Sequence, residues 1–205
     1  MHALIFTGGP SPLFDLTLPE AQLVIAADSG GDHANELGLE VDLIIGDFDS
    51  CSTKAIEKAH EARKFPTDKD VTDLELALAA AIEKGVSSVT IITSTRGRFD
   101  HTFGNIVVAS SNRWHDLEID LFIDNNYARV INNKAKLIGN PSDTLTLFAM
   151  GGTAFGVTSK GLKWELDGTD LSVGSGLGIS NEFTTNEVEI NVDDGTVVSI
   201  QSFDS

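Results

Sequence analysis

Residues 41–50 read Val41-Asp42-Leu43-Ile44-Ile45-Gly46-Asp47-Phe48-Asp49-Ser50, an apolar run followed closely by two carboxylates. The apolar run predicts a buried strand. In an extended backbone, residues two apart point to the same side, so we expect Asp47 and Asp49 to project together and Phe48 to face the core. Adjacent carboxylates repel each other unless a cation or a proton lies between them. At the carboxyl end of a strand in an α/β sheet, the pair therefore predicts a Mg²⁺ site for a nucleotide phosphate.

Strand and helix signals alternate on both sides of this segment through the first two thirds of the chain. Strands are predicted at residues 3–6, 23–27, 43–45, 88–93, 119–123 and 128–131. Helical patterns occur at residues 34–37, 54–62, 72–85 and 102–110. Alternation of this kind is typical of a mostly parallel sheet covered on both faces. Residues 1–133 are therefore predicted to form an α/β, Rossmann-like domain.

A different pattern begins after about Asn133. Short strand-like runs are separated by Gly, Asn, Asp and Pro, and no helical pattern is found. These runs are residues 136–138, 144–148, 153–158, 188–192 and 196–200. The sequence predicts an all-β domain over residues 134–205, built as a small sandwich or barrel.

Composition narrows the classes of partner. The chain has 205 residues and a formal net charge of -17, which repels nucleic acid and anionic membranes, so neither is expected as a partner. Cys51 is the single cysteine, so no intrachain disulfide can form. The apolar opening is too short for a signal peptide, and no run approaches the roughly 18 apolar residues of a membrane span. A cytoplasmic location is expected.

Two further groups of polar residues precede predicted helices. Acids surround Lys69 and Thr72, where Thr72 and Glu75 form a capping-box pattern; helix N-termini favour acids for purely structural reasons as well. The second group, residues 93–101, carries Arg96, Arg98, Asp100 and His101. Arginines beside a glycine at a helix start suit phosphate oxygens, although a solvated loop capped by Asp100 is the structural alternative. The chain has no P-loop motif to bind phosphates instead.

Six separated motifs together resemble the thiamine pyrophosphokinase family, from about Ala26 to Phe183. They are Ala27-Asp28-Ser29-Gly30, residues 42–50, Asp70-Val71-Thr72-Asp73, Gly97-Arg98-Phe99-Asp100-His101, Gly161-Leu162-Lys163-Trp164 and Gly178-Ile179-Ser180-Asn181-Glu182-Phe183. Their order and spacing across two dissimilar domains carry the resemblance. Two departures from the family pattern are Ser29, where the family often has glycine, and Arg96, where the family often has a second glycine.

The resemblance implies an enzyme that transfers a diphosphoryl group from ATP to the hydroxyl of thiamine, giving AMP and thiamine diphosphate. It implies Mg²⁺ held by Asp28, Asp47, Asp49 and Asp73, and catalytic roles for Asp47, Asp49, Asp73, Arg98 and Asp100. The implied nucleotide-binding residues are Asp28, Gly30, Lys69, Asp70, Thr72, Arg98 and His101. The implied thiamine-binding residues are Trp164, Ser180 and Asn181. A homodimer with active sites between protomers is implied as well.

The sequence leaves the catalytic base and the acceptor substrate open. Either Asp73 or Asp100 would accept the proton of the acceptor hydroxyl. The alternative functions are a pyrophosphokinase for another hydroxymethyl heterocycle, such as a pterin, and a non-catalytic sensor of nucleotide or thiamine.

Overall fold

The structure of this protein is a computed structural model, which describes residues 1–12 and 17–202. It divides into two compact units: residues 1–108 with 116–124, and residues 109–115 with the chain from 125 onward. The change between units after Asp124 comes earlier along the chain than the predicted boundary after Asn133. In the described part of the chain, no helix combines the length and apolar character needed to cross a membrane.

Within its described residues, the first unit contains six strands that pair in parallel. They are β1 (His2–Phe6), β2 (Leu23–Ala27), β3 (Leu43–Gly46), β4 (Glu61–Lys64), β5 (Ser88–Thr93) and β6 (Glu118–Ile123). Their order across the sheet is β4-β3-β2-β1-β5-β6, which makes the first strand central. All five residues of β2 and all four of β3 are buried, which explains their unbroken apolar sequences. The predicted parallel sheet is confirmed.

The prediction missed strand β4. The sequence indicated a helix over residues 54–62, but helix α2 (Thr53–Lys58) ends sooner and Glu61–Lys64 pairs with β3. Glu-Ala-Arg-Lys is a helix-favouring composition. Here the backbone groups of the neighbouring strand decide the conformation, and the alternating burial of β4 suits an edge strand.

Within the described residues, three other α-helices follow strands of this sheet along the chain: α1 (Gly30–Glu36), α3 (Asp73–Glu83) and α4 (Phe99–Ala109). Helix α1 begins earlier than the predicted 34–37, and α4 begins three residues before the predicted Thr102. At the start of α3, Thr72 Oγ1 accepts the N–H of Glu75, and the Glu75 carboxylate accepts the N–H of Thr72 at 2.8 Å. The predicted capping box is therefore confirmed.

The second unit is rich in antiparallel strands. They are β7 (Asn126–Ile131), β8 (Lys134–Ile138), β9 (Thr144–Lys160), β10 (Thr169–Leu171), β11 (Asn181–Glu182), β12 (Glu187–Asn191) and β13 (Asp194–Ser202). Strand β9 joins two predicted runs into 17 residues and pairs with β10, β11, β12 and β13. Strand β13 lies between β7 and β9. From residue 125 to residue 202 no α-helix occurs; a short 3₁₀ helix, Asn112–Trp114, belongs to the same unit.

Candidate active site

Three carboxylates meet at the carboxyl edge of the parallel sheet. Asp28 directly follows β2, and Asp47 and Asp49 follow β3. One oxygen from each of the three carboxylates lies within 4.8 Å of the other two. The structure thus brings together three of the four residues predicted to hold a metal, because neighbouring parallel strands end at the same edge.

The backbone that presents these carboxylates is not the extended one predicted. Phe48 has φ +66° and Asp28 has φ +46°, both in the left-handed region. Asp47 and Asp49 converge through a tight turn, in which the N–H of Asp49 donates to Asp47 Oδ1 at 3.0 Å. The expectation of an extended Asp-Phe-Asp step was wrong, while Phe48 does pack against the core as predicted. A side-chain acceptor two residues earlier favours such a turn over strand continuation.

Gly46 is a residue of the site that the sequence reasoning did not single out. Its φ is +148°, and a Cβ placed on it would lie 2.1 Å from Asp28 Oδ1. Only glycine leaves room for the carboxylate of Asp28 at this point. The signal was present in the sequence, since this glycine separates the buried run from the acidic pair.

The three carboxylates differ in electrostatic environment. The pKa of Asp28 is raised to about 7, mainly by burial and in addition by the nearby carboxylates of Asp73 and Asp47, while the hydrogen bond from the N–H of Phe48 acts in the opposite direction. The N–H of Asp49 instead lowers the pKa of Asp47. The cluster therefore contains one carboxylate that resists ionisation and one that ionises readily.

Asp73, the fourth predicted metal ligand, begins α3 and lies beside Asp28. Its Oδ1 atom is 3.0 Å from Lys69 Nζ, an ion-pair distance. The geometry is not that of a hydrogen bond, so this buried oxygen has no hydrogen-bond partner among the described residues. Lys69 also donates to the carbonyl of Pro66. The Lys69 ammonium offsets part of the cost of burying this charge, and the oxygen can still accept a further ligand.

These residues fit a hard divalent cation. Mg²⁺ prefers carboxylate oxygens and retains water and phosphate as further ligands. The cluster offers carboxylate oxygens from Asp28, Asp47 and Asp49, and the carboxylate of Asp73 adjoins it. A divalent ion would also offset the carboxylate repulsion that adds to burial in raising the pKa of Asp28.

Replacing Asp28 by asparagine is expected to stabilise the metal-free protein at pH 8. The pKa of Asp28 rises from 3.8 to about 7 on folding, so unfolding free energy falls as pH increases through that window. The neutral amide removes this loss and can still accept the N–H of Phe48. The full shift corresponds to about 4 kcal/mol, but Asp28 is only half-buried and solvent screens most of this effect. We therefore expect a Tm gain of about 2–4 °C, or about 1 kcal/mol, at pH 8 and none at pH 4.

Thermal melts in EDTA test this expectation, and added Mg²⁺ should raise the Tm of the wild type more than that of the variant. The matched control is Asp42→Asn at the amino end of β3, where Asp42 accepts the N–H of Val24 and faces His60. If the Tm of the wild type and that of Asp28→Asn changed equally with pH, the raised pKa of Asp28 would be contradicted.

Three of the predicted nucleotide-binding residues lie in helix-packing, helix-capping or solvent-exposed positions. A Cβ on Gly30 would lie 2.2 Å from the carbonyl oxygen of Phe6, so this glycine is needed for α1 to pack against β1. The Thr72 hydroxyl is engaged in the helix cap. Asp70 is exposed. Helix packing and capping thus explain Gly30 and Thr72 without a ligand.

The loop after β5 carries the predicted arginine. The guanidinium of Arg98 pairs with both oxygens of Asp100, at 2.6 Å and 3.2 Å, and both side chains are largely exposed. His101 is exposed in the first turn of α4. Arg96 donates to the carbonyl oxygen of Ser11, which gives this departure from the family pattern a structural role.

The predicted thiamine-binding residues come together in the second unit. The Trp164 ring is 55% exposed, and Lys163 Nζ lies 4.6 Å from its centroid while also pairing with Glu182. The buried Asn181 side chain accepts the N–H of Trp164 at 3.1 Å and donates to its carbonyl at 2.7 Å. Ser180 is exposed, with φ +57°. Asn181 thus fixes the backbone that presents the indole.

Comparisons with known proteins agree with both units. The family model of the thiamin pyrophosphokinase catalytic domain matches residues 14–121, and that of the thiamin pyrophosphokinase vitamin B1 binding domain matches residues 131–197. Thiamine pyrophosphokinase of Bacillus subtilis is 30% identical over 209 residues, which cover 98% of each chain.

Solved structures give the same result. A crystal structure of thiamine pyrophosphokinase from Bacillus subtilis superposes with a TM-score of 0.85 at 26% identity, over 100% of both chains. A thiamin pyrophosphokinase family protein from Enterococcus faecalis gives a TM-score of 0.84 at 25% identity, again over 100% of both. With family models covering most of its length and a relative at 30% identity, this chain belongs to the thiamine pyrophosphokinase family.

Proposed function

We propose that this protein transfers the diphosphoryl group of ATP to the hydroxyl of thiamine, releasing AMP and thiamine diphosphate. The observation that carries the proposal is the carboxylate cluster of Asp28, Asp47 and Asp49 with Asp73 beside it, in the unit that matches the catalytic domain. The second unit, which matches the vitamin B1 binding domain, would supply the acceptor site. In this assignment the first unit is the Rossmann-like nucleotide domain and the second is the all-β thiamine domain.

Phosphoryl transfer needs little covalent chemistry from the protein, which must neutralise charge and align the reacting oxygens. Asp28, Asp47, Asp49 and Asp73 would hold Mg²⁺. When bound, the ion supplies Lewis-acid neutralisation of the phosphate oxygens. Lys69 and Arg98 would contribute positive charge toward the phosphates, with Asp70, Thr72, Gly30 and His101 lining the nucleotide site.

We assign Asp73, rather than Asp100, as the group that accepts the proton of the thiamine hydroxyl. The Arg98 guanidinium beside it lowers the pKa of Asp100, which makes that carboxylate a weaker base. Asp73 is also paired with a cation, Lys69, but it lies beside Asp28 and so adjoins the carboxylate cluster that would hold the phosphates through Mg²⁺. We therefore assign the proton to Asp73, with Asp100 keeping Arg98 in place.

Trp164 would stack on thiamine, whose cationic ring suits an indole face. Lys163 lies over the ring on one side with its charge paired to Glu182, so the opposite face would receive the ligand. Ser180 and Asn181 would complete this site, with Asn181 acting through the Trp164 backbone. A homodimer with active sites between protomers and a cytoplasmic location complete the proposal.

Trp164→Ala is expected to raise the KM for thiamine by about tenfold while the KM for ATP changes less than twofold. A desolvated cation over an indole contributes about 1–2 kcal/mol, and about 1.4 kcal/mol corresponds to a factor of ten. Steady-state kinetics with each substrate varied in turn measure this difference. Trp164→Phe is the matched control and should retain most of the affinity. Equal rises in both KM values would contradict a stacking role.

Incubation with ATP, Mg²⁺ and thiamine, followed by chromatography of the nucleotides, tests the function. AMP formed in equal amount to thiamine diphosphate supports the proposal, and ADP as the product would refute it. Turnover of a hydroxymethyl pterin without turnover of thiamine would instead identify the alternative pyrophosphokinase. A melting shift with both ligands and no product would identify a sensor.

A further inference from the structure

The loop after β5 is held by a carboxylate from the next strand. Asp124, directly after β6, accepts from Ser94 Oγ at 2.9 Å, from the N–H of Thr95 at 2.7 Å and from Thr95 Oγ1 at 2.6 Å. Three donors from two consecutive residues thus converge on one side chain. Asp124 belongs to none of the motifs that mark the site in the sequence.

This anchoring extends along the loop. Ser94 Oγ, which donates to Asp124, also accepts the N–H of Arg96 at 3.1 Å. The carbonyl of Ser94 accepts from Thr102 Oγ1 at 2.6 Å, which joins the loop to α4. Arg96 in turn holds the carbonyl of Ser11. The conformation of residues 94–96 is therefore fixed from both ends before the chain reaches Arg98.

The position of the loop points to a ligand. Strand order reverses at β1, with β2 on one side and β5 on the other. Open parallel sheets bind ligands outside the carboxyl ends of their strands at this switch point. Ser94–Arg98 follows the carboxyl end of β5, and the 71% exposed side chain of Arg98 is presented there.

Asp124 also tolerates an unfavourable backbone. Its φ is +49°, a conformation that L-residues seldom adopt, although aspartate does so more readily than most. Its own N–H donates to the carbonyl of Thr93 at 3.3 Å. Such conformations persist where the surrounding contacts determine them.

We propose that Asp124 is a positioning residue for nucleotide binding, which fixes residues 94–96 and so directs Arg98 toward the phosphates of ATP. The inference rests on the proposed function for its ligand. Asp124 touches neither substrate; it acts through Ser94 and Thr95.

The test uses Asp124→Gly, because glycine removes the carboxylate and adopts a positive φ freely. Calorimetric binding of α,β-methylene-ATP with Mg²⁺ should weaken by about tenfold, as expected for lost charge-assisted hydrogen bonds. The KM for ATP should rise in parallel, while the KM for thiamine stays within twofold. Asp124→Asn, which keeps an acceptor oxygen, should restore part of the affinity, and Asp42→Asn should bind as the wild type does.

Thr95→Val provides a second, independent variant. If Asp124 acts through Thr95, the effects of the two substitutions on analogue affinity will be less than additive when combined. Wild-type affinity in Asp124→Gly, strict additivity, or equal changes in both KM values would each overturn the proposal. If the wild type binds the analogue but forms no AMP, the proposed reaction fails. The ratio of the analogue affinities of the wild type and Asp124→Gly still decides the role of Asp124.

Discussion

Asp47→Asn is expected to lower kcat by at least about 100-fold, the largest loss among the variants considered. Charge stabilisation by a metal contributes several kcal/mol to such transition states, and about 1.4 kcal/mol corresponds to a factor of ten. The N–H of Asp49 lowers the pKa of Asp47, so this carboxylate ionises readily and is available to bind a cation. The substitution removes that charge.

The fold should survive this change, because an amide oxygen can still accept the N–H of Asp49 that closes the turn. Far-ultraviolet circular dichroism and the Tm without metal should therefore match the wild type. Asp42→Asn, at the opposite end of the same strand, is the control and should retain activity. Near-normal turnover by Asp47→Asn at limiting Mg²⁺ would remove Asp47 from the metal site.

Gly46→Ala is expected to disable the same centre without removing any charged group. The added methyl would lie 2.1 Å from Asp28 Oδ1 and 2.6 Å from its Cγ, so the carboxylate must leave its place. The left-handed backbone adds strain of about 1–3 kcal/mol, which predicts a Tm fall of several degrees. Activity should drop by at least about tenfold, since a displaced ligand weakens the metal site.

Gly38→Ala is the matched control for Gly46→Ala. Gly38 also has a positive φ, +76°, but a Cβ placed on it meets nothing within 4 Å. It should show the loss of Tm without the loss of activity. Kinetics across a Mg²⁺ titration and thermal melts of both variants separate backbone strain from ligand displacement. Equal activities in the two alanine variants would show that the position of Asp28 does not depend on Gly46.

Much of the fold follows from local signals in the sequence. The unbroken apolar run of β2, the β-branched run of β5 and the Thr72–Glu75 cap were predicted from composition and spacing alone. Strand β4 was not predictable in this way, because Glu-Ala-Arg-Lys becomes a strand only through pairing with β3. Long-range hydrogen bonds decided the conformation against the local preference.

The candidate site also combines features that local sequence predicts with features that only long-range contacts determine. Paired acids after a strand predicted the meeting of Asp47 and Asp49, and their neighbour Asp28 followed from the resemblance. The turn that brings them together depends on the positive φ of Phe48. A phenylalanine does not predict this conformation, because bulky residues seldom adopt a positive φ. The role of Asp124 could not be predicted from the sequence, because its partners Ser94 and Thr95 lie about 30 residues earlier in the chain. The requirement for glycine at position 46 likewise depends on a tertiary contact with Asp28, which the sequence alone does not reveal.

The central place of β13 has a consequence for synthesis. This strand, the last in the described chain, inserts between β7 and β9, whose sequences are translated far earlier. Until residues 194–202 leave the ribosome, the facing edges of β7 and β9 lack their shared partner. Unpaired strand edges invite association with other chains. Nascent chains arrested shortly before β13 should therefore depend on chaperones, whereas the parallel unit can form while translation continues.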